Sequence, residues 1–193
     1  MAIIRKAQST DIENVEYVCR MTAGEQAQTD EVTGKAIAKT YSTYYIRECT
    51  DTCFVLADDT DKAVGYILCE PNYKRYNKVF RSVDAPQIKK ISRKYGIMAY
   101  FLPIPCTFFG RSYPAHMHID ILPEYQNKGY GSKLLDALFK ELESRGVKGI
   151  MLTAGLDNVG AIRFYKRNGF KTIVKSKTIN AIITNLTAHP DSR

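Results

Sequence analysis

The chain has 193 residues, 45% of them hydrophobic, and 28 Lys or Arg against 20 Asp or Glu give a net charge of +8. That length and apolar content suit one domain with a sizeable core and exclude a disordered chain. The longest apolar stretch, 97–109, holds Pro103 and Pro105 and is too short for a membrane span of roughly 20 residues.

The start, MAIIRKAQSTD, has no long apolar run, so neither a secretory signal nor a transit peptide is expected, and a soluble cytoplasmic protein is. Residues 2–6 read as a short strand. Ser9, Thr10 and Asp11 follow as caps for a helix carrying Ile12, Val15, Val18 and Cys19. A second helical pattern runs over 35–49, with Ala36, Ala38, Tyr41, Tyr44 and Tyr45 available for packing. TCFVLADD (52–59) and AVGYILCE (63–70) read as a hairpin across Thr60, Asp61 and Lys62.

The charge is concentrated in the next stretch. Between Pro71 and Pro114 stand nine Lys or Arg and one acid, Asp84, whereas the remainder sums to zero. A short helix is expected from Asp84 or Ala85, with Pro86 in its first turn and Gly96 ending it. Nine aromatics share this segment: they either cap the core or, with the cations, form a binding face. A local excess of this kind marks one positive surface rather than a basic domain.

Residues 115–122, AHMHIDIL, read as a buried strand, and EYQNKGYGS as a turn into a helix over about 129–145 with Leu134, Leu135, Leu138, Phe139 and Leu142 on one side. The spacing Gln126-x-x-Gly129-x-Gly131 before a helix start suits an anion cradle. Glycines let the backbone approach closely, and the unpaired amides and the helix dipole point at one charge. VKGIMLTA is a further strand. Asp157-Asn158 then caps a helix on which Asn158, Ala161 or Ile162, and Tyr165 form one stripe, and Gly169 stops it. Strands over 170–175 and 178–185 and a frayed tail, 187–193, complete a mixed α/β order of mostly hairpin-connected strands. Five cysteines (19, 49, 53, 69, 106) without a C-x-x-C pair read as reduced thiols rather than a disulfide framework or zinc knuckle, with Cys69 a small core residue.

Two motifs, Gln126-x-x-Gly129-x-Gly131 and Asn158-x-x-Ala161-x-x-Phe164-Tyr165-x-x-x-Gly169-Phe170, together resemble the GNAT superfamily of acetyl-CoA-dependent N-acetyltransferases. AHMHIDILPEYQNKGYG is also similar, more weakly, to the acetyltransferase-like domain attached to some O-GlcNAc hydrolases. The resemblance implies a mixed, mostly antiparallel sheet with helices on both faces and two central strands splayed apart. It implies one domain over 1–193, with a basic, aromatic-rich insertion at 71–114. The pantetheine arm of acetyl-CoA would lie on the backbone of Ile119 and Ile121. Its pyrophosphate would sit on the amides of Gln126, Asn127, Lys128, Gly129, Tyr130, Gly131 and Ser132, with Lys128 adding a charge. Asn158 would bind the arm, and its alternative is a plain helix cap.

Tyr165 is the acid implied for the departing thiolate; its alternative is a buried structural tyrosine. The position where many family members carry an acid on the preceding strand is Thr153 here, a departure. His116, His118 and Asp120 alternate along the central strand and so share a face, which suggests a cleft. Asp120 with His118 is the candidate base. The rivals are structural histidines oriented by Asp120, or a metal held by His-x-His and Asp120; no metal is expected.

The leading reading is an N-acetyltransferase acting on a primary amine by direct attack in a ternary complex. Its acceptor would be a small molecule or peptide carrying negative charge, bound near 71–114, and the protein a monomer or homodimer. A non-catalytic acyl-CoA-binding module or sensor is the alternative, and nucleic-acid binding through the basic segment is the third reading.

Overall fold

The computed structural model describes residues 2–155, 158–175 and 179–186. Strand β1 (Ile3–Lys6) leads through a tight turn at Ser9–Asp11 into helix α1 (Ile12–Thr22). Asp11 fixes that corner, accepting the Gln8 amide at 2.8 Å and both terminal nitrogens of Arg5 at 2.8 Å. Val15, Val18 and Cys19 of α1 are buried, as their spacing predicts.

The helix expected over 35–49 is in three pieces. Asp30 accepts the Thr33 amide at 2.7 Å, so α3 (Glu31–Ala38) starts four residues early, just after the short α2 (Glu25–Thr29). A π-helical turn, Lys39–Thr43, then precedes α4 (Tyr44–Glu48). Thr40 and Ser42 donate to the carbonyls of Ala36 and Ala38 at 2.6 and 2.7 Å, and such hydroxyls compete for the acceptors of an α-helical ladder.

Strands β2 (Phe54–Ala57) and β3 (Ala63–Glu70) form the expected hairpin. The basic segment is a cap of four helices: α5 (Tyr73–Val79), α6 (Ala85–Ile91), α7 (Arg93–Phe101) and α8 (Ile104–Thr107). Gly96 does not end a helix, as the sequence suggested; the break falls at Ser92, and Gly96 lies inside α7. A Cβ there would stand 2.4 Å from Lys89 Cα, so Gly96 is where α6 and α7 touch. The aromatics divide: Tyr73, Tyr76 and Phe80 are buried, whereas Phe101 and Phe108 are exposed. Asp84, the segment's one acid, is fully buried and accepts both arms of Arg47 at 2.7 and 2.9 Å, which ties the cap to α4.

The remaining elements are β4 (Ala115–Ile121), α9 (Tyr130–Ser144), β5 (Gly149–Gly155), α10 (Val159–Arg167), β6 (Lys171–Lys175) and β7 (Ile179–Asn185). Asp157 and the tail 187–193 lie outside the described residues. The strands make one seven-stranded sheet in the order β1-β2-β3-β4-β5-β7-β6, antiparallel throughout except between β4 and β5. The fold is the mixed, mostly antiparallel α/β architecture expected. The parallel pair is joined only at Ala115 with Ile150 and His116 with Met151, and beyond that the two strands separate.

Candidate active site

The opening between β4 and β5 is the mouth of a cavity of about 920 Å³. The pairing of β4 with β3 shows which main-chain groups face it. Leu122 N–H donates to Val64 O at 3.0 Å. Hydrogen-bonded pairs alternate along an antiparallel ladder, so Asp120, opposite Tyr66 in the register, also turns its main chain to β3. Ile119 and Ile121 therefore turn theirs the other way, into the opening. The Ile121 carbonyl accepts the Gln126 side chain at 2.7 Å, so Gln126 braces the strand end and the turn.

That turn contains two left-handed residues, Asn127 (φ 58°) and Gly129 (φ 79°). Nothing lies within 4 Å of a Cβ built on Gly129, so glycine is needed there for conformation rather than space. The first helical bond of α9 is Lys133 N–H to Gly129 O at 3.3 Å, which leaves the amides of Tyr130, Gly131 and Ser132 without intrahelical acceptors. Gln126, Asn127, Gly129, Gly131 and Ser132 line the cavity; Lys128 and Tyr130 do not, and Lys128 Nζ instead lies 5.7 Å from the Tyr125 ring centroid. Positive charge at the wall comes from Arg163 and Arg167, one turn apart on α10, a pair that the sequence reading missed although their spacing places them on one face.

Asn158 caps α10, its Oδ1 accepting the Ala161 amide at 3.0 Å. The capping alternative thus describes the oxygen, while the residue also lines the cavity. Tyr165 is buried and lines the same cavity. Burial, with the charge of Asp120, raises its pKa, so the phenol stays protonated and able to donate.

Along β4 the three ionisable residues share a face but not an environment. His116 is 5% exposed, with Nδ1 2.7 Å from Tyr45 Oη and rings of Tyr73 and Tyr76 packed on it. It belongs to the core and not to the cleft the alternation suggested, because tyrosines from α4 and α5 close over that end of the strand. Burial, then His118, holds it far below its ordinary pKa, so it is neutral.

His118 lines the main cavity and also a second, of about 10 Å³, shared with Leu102, Pro103 and Cys106 of the helical cap. Its Nε2 is buried without a hydrogen-bond partner among the described residues, and burial lowers its pKa to about 4. Asp120 lines the main cavity and accepts the Tyr66 hydroxyl at 2.6 Å. Burial pushes its pKa up to about 6, against the hydrogen bond from Tyr66. Thr153 lines both cavities. A neutral imidazole, a carboxylate that takes protons near neutrality and a protonated phenol thus surround one space, a set suited to proton transfer in both directions. Among the described residues no group of three or more His, Cys, Asp or Glu is placed to hold a metal ion.

A family model described as the acetyltransferase (GNAT) family matches residues 21–170. The ribosomal protein bS18-alanine N-acetyltransferase of Escherichia coli K12 is 42% identical over 53 residues, 28% of this chain and 36% of that one. The matches thus span roughly a third of the length of the curated relatives, 28% and 36% in two of them. Among solved structures, SsHAT superposes with a TM-score of 0.86 at 25% identity over 96% of this chain and 98% of that one. The PaiA N-acetyltransferase of Thermoplasma acidophilum, solved with coenzyme A, gives 0.63 at 17% over 96% and 99%.

Proposed function

This chain belongs to the GNAT acetyltransferase family, and on that premise we propose that it moves an acetyl group from acetyl-CoA to a primary amine by direct attack in a ternary complex. The observation that carries this reading is the parting of β4 from β5 beyond His116. It leaves the main chain of Ile119 and the Ile121 amide turned into the opening, where they can pair with the amide-bearing arm of the thioester as a further strand would, while the Ile121 carbonyl holds Gln126. The amides at the start of α9 and the guanidinium groups of Arg163 and Arg167 suit its phosphates.

In this reading an acceptor ammonium enters beside Asp120 and His118. Asp120 takes its proton, and the neutral His118 lines the cavity beside it. The amine nitrogen attacks the thioester carbon, the carbon–sulfur bond breaks, and the leaving thiolate takes the Tyr165 proton. Asp120, having passed the ammonium proton to solvent, takes the proton left on the new amide nitrogen, and return of that proton by way of solvent to the Tyr165 phenolate closes the cycle with one proton released overall. The whole chain, 1–193, works as one acetyltransferase domain with 71–114 as an inserted cap. Lys89, Lys90, Arg93 and Lys94 are exposed there, which supports an acceptor carrying negative charge. Mass spectrometry of amines incubated with protein and acetyl-CoA tests this reading through an N-acetylated product.

A second reading, a non-catalytic acyl-CoA-binding module, is favoured by one observation: the β5 residue on the cavity wall is the neutral Thr153. Calorimetric binding of acetyl-CoA without any acetylated amine would support it instead.

A further inference from the structure

We propose that Tyr66 is a positioning residue, a dedicated hydrogen-bond donor that fixes the Asp120 carboxylate at the cavity wall and favours its ionised form. This deepens the proposed reaction and rests on Asp120 as its base. Tyr66 stands directly opposite Asp120 in the β3–β4 register, so both side chains rise from the same face of adjacent strands. Tyr66 is 0% exposed and its hydroxyl lies 2.6 Å from Asp120 Oδ2, the distance of a bond from a hydroxyl to a charged oxygen. Out of reach of water, that hydroxyl has the carboxylate as its acceptor.

The groups facing Asp120 from the other elements explain why one donor matters. Thr22 and Cys19 come from α1, Tyr165 from α10, and His118 is its neighbour on β4. Among the described residues, no Lys or Arg is among the groups that act on the carboxylate. The Thr22 hydroxyl has a single proton and stands 2.9 Å from the Val18 carbonyl, to which it donates. Cys19 is held as a neutral thiol by burial and by Asp120 itself, its pKa pushed up to about 12. Tyr66 is kept protonated by its own burial and by Asp120 and so remains able to donate to the ionised carboxylate. Without a cation, hydrogen bonding is what offsets the desolvation of the charge, and Tyr66 supplies most of it.

The test is a carbon-13 NMR titration of the Asp120 carboxyl in the full chain, wild type against Tyr66→Phe, alongside pH profiles of kcat/KM. Loss of one hydrogen bond to a charged oxygen moves the Asp120 midpoint and the acidic limb of kcat/KM upward by about one to two pH units, with KM for acetyl-CoA unchanged. A folded Tyr66→Phe protein with the wild-type midpoint overturns the proposal. Site-specific replacement of Tyr66 by fluorotyrosine, a stronger donor of the same shape, shifts the midpoint the opposite way; an unmoved midpoint there also overturns it, even where the Phe variant does not fold. Should the midpoint move while Asp120→Asn keeps full activity, the positioning role stands and the base assignment fails.

Discussion

His116 faces Met151 across the last paired rung of β4 and β5, and β4 continues to Ile121 with that side open. Main-chain groups of Ile119 and Ile121 look into the opening, whereas Leu122 N–H is already bonded to Val64 O. If the thioester's arm pairs with this edge, residue-resolved hydrogen exchange will show the Ile119 and Ile121 amides slowing on addition of acetyl-CoA, with Asp120 and Leu122 nearly unchanged. Equal protection along the strand would place the arm elsewhere.

Asp120→Asn separates function from stability. Burial raises the folded-state pKa of Asp120 to about 6, above the roughly 3.9 of an unfolded chain. The folded protein therefore binds this proton more tightly, and stability is lost as pH rises through about 6. The Asn variant, which still accepts from Tyr66, is expected to be more stable than wild type above that pH, by about 3 kcal/mol, and to lose the advantage below about pH 4. Amine acetylation falls by 100-fold or more, at the scale of a lost general base of about 10² to 10⁴. Thermal melts across the pH range and initial rates check the two halves.

Tyr165→Phe keeps the packing of a buried ring that stands against Phe164 and Phe170 and removes the donor. Affinity for acetyl-CoA by calorimetry stays within about twofold while turnover drops by roughly 10². Wild-type turnover would remove Tyr165 from the reaction.

Much of this was legible from local pattern. The leucine stripe of α9, the Asn158–Tyr165 spacing and the glycine turn are short-range signals, and each element formed where its periodicity put it. What failed depended on distant residues. Alternation along β4 gave the face of His116, His118 and Asp120 but not their depth, because His116 is closed off by Tyr45, Tyr73 and Tyr76 from other helices. Tyr66 lies in the run VGYILC, where a hydrogen-bonding tyrosine reads like any core ring. Gly96 carried a stop signal identical to that of a close helix crossing, and only the approach of Lys89 distinguishes them.

Gly96→Ala tests that crossing. A Cβ would meet Lys89 Cα at 2.4 Å and its amide nitrogen at 2.7 Å, both backbone atoms, so α6 and α7 must move apart. A loss of about 3 kcal/mol by chemical denaturation is expected, at the upper end for overpacking, with acetyl-CoA affinity retained because the cap lies away from the α9 turn. Unchanged stability would mean the two helices pack less closely.

Release of coenzyme A thiol from acetyl-CoA across a panel of primary amines, run from acidic to alkaline pH across the Asp120 midpoint near 6 with wild type and Asp120→Asn in parallel, tests the central claim most directly. Amine-dependent release by wild type, rising with pH as Asp120 ionises and largely abolished in the variant, is the predicted result. Tight acetyl-CoA binding with no amine-dependent release at any pH would contradict it.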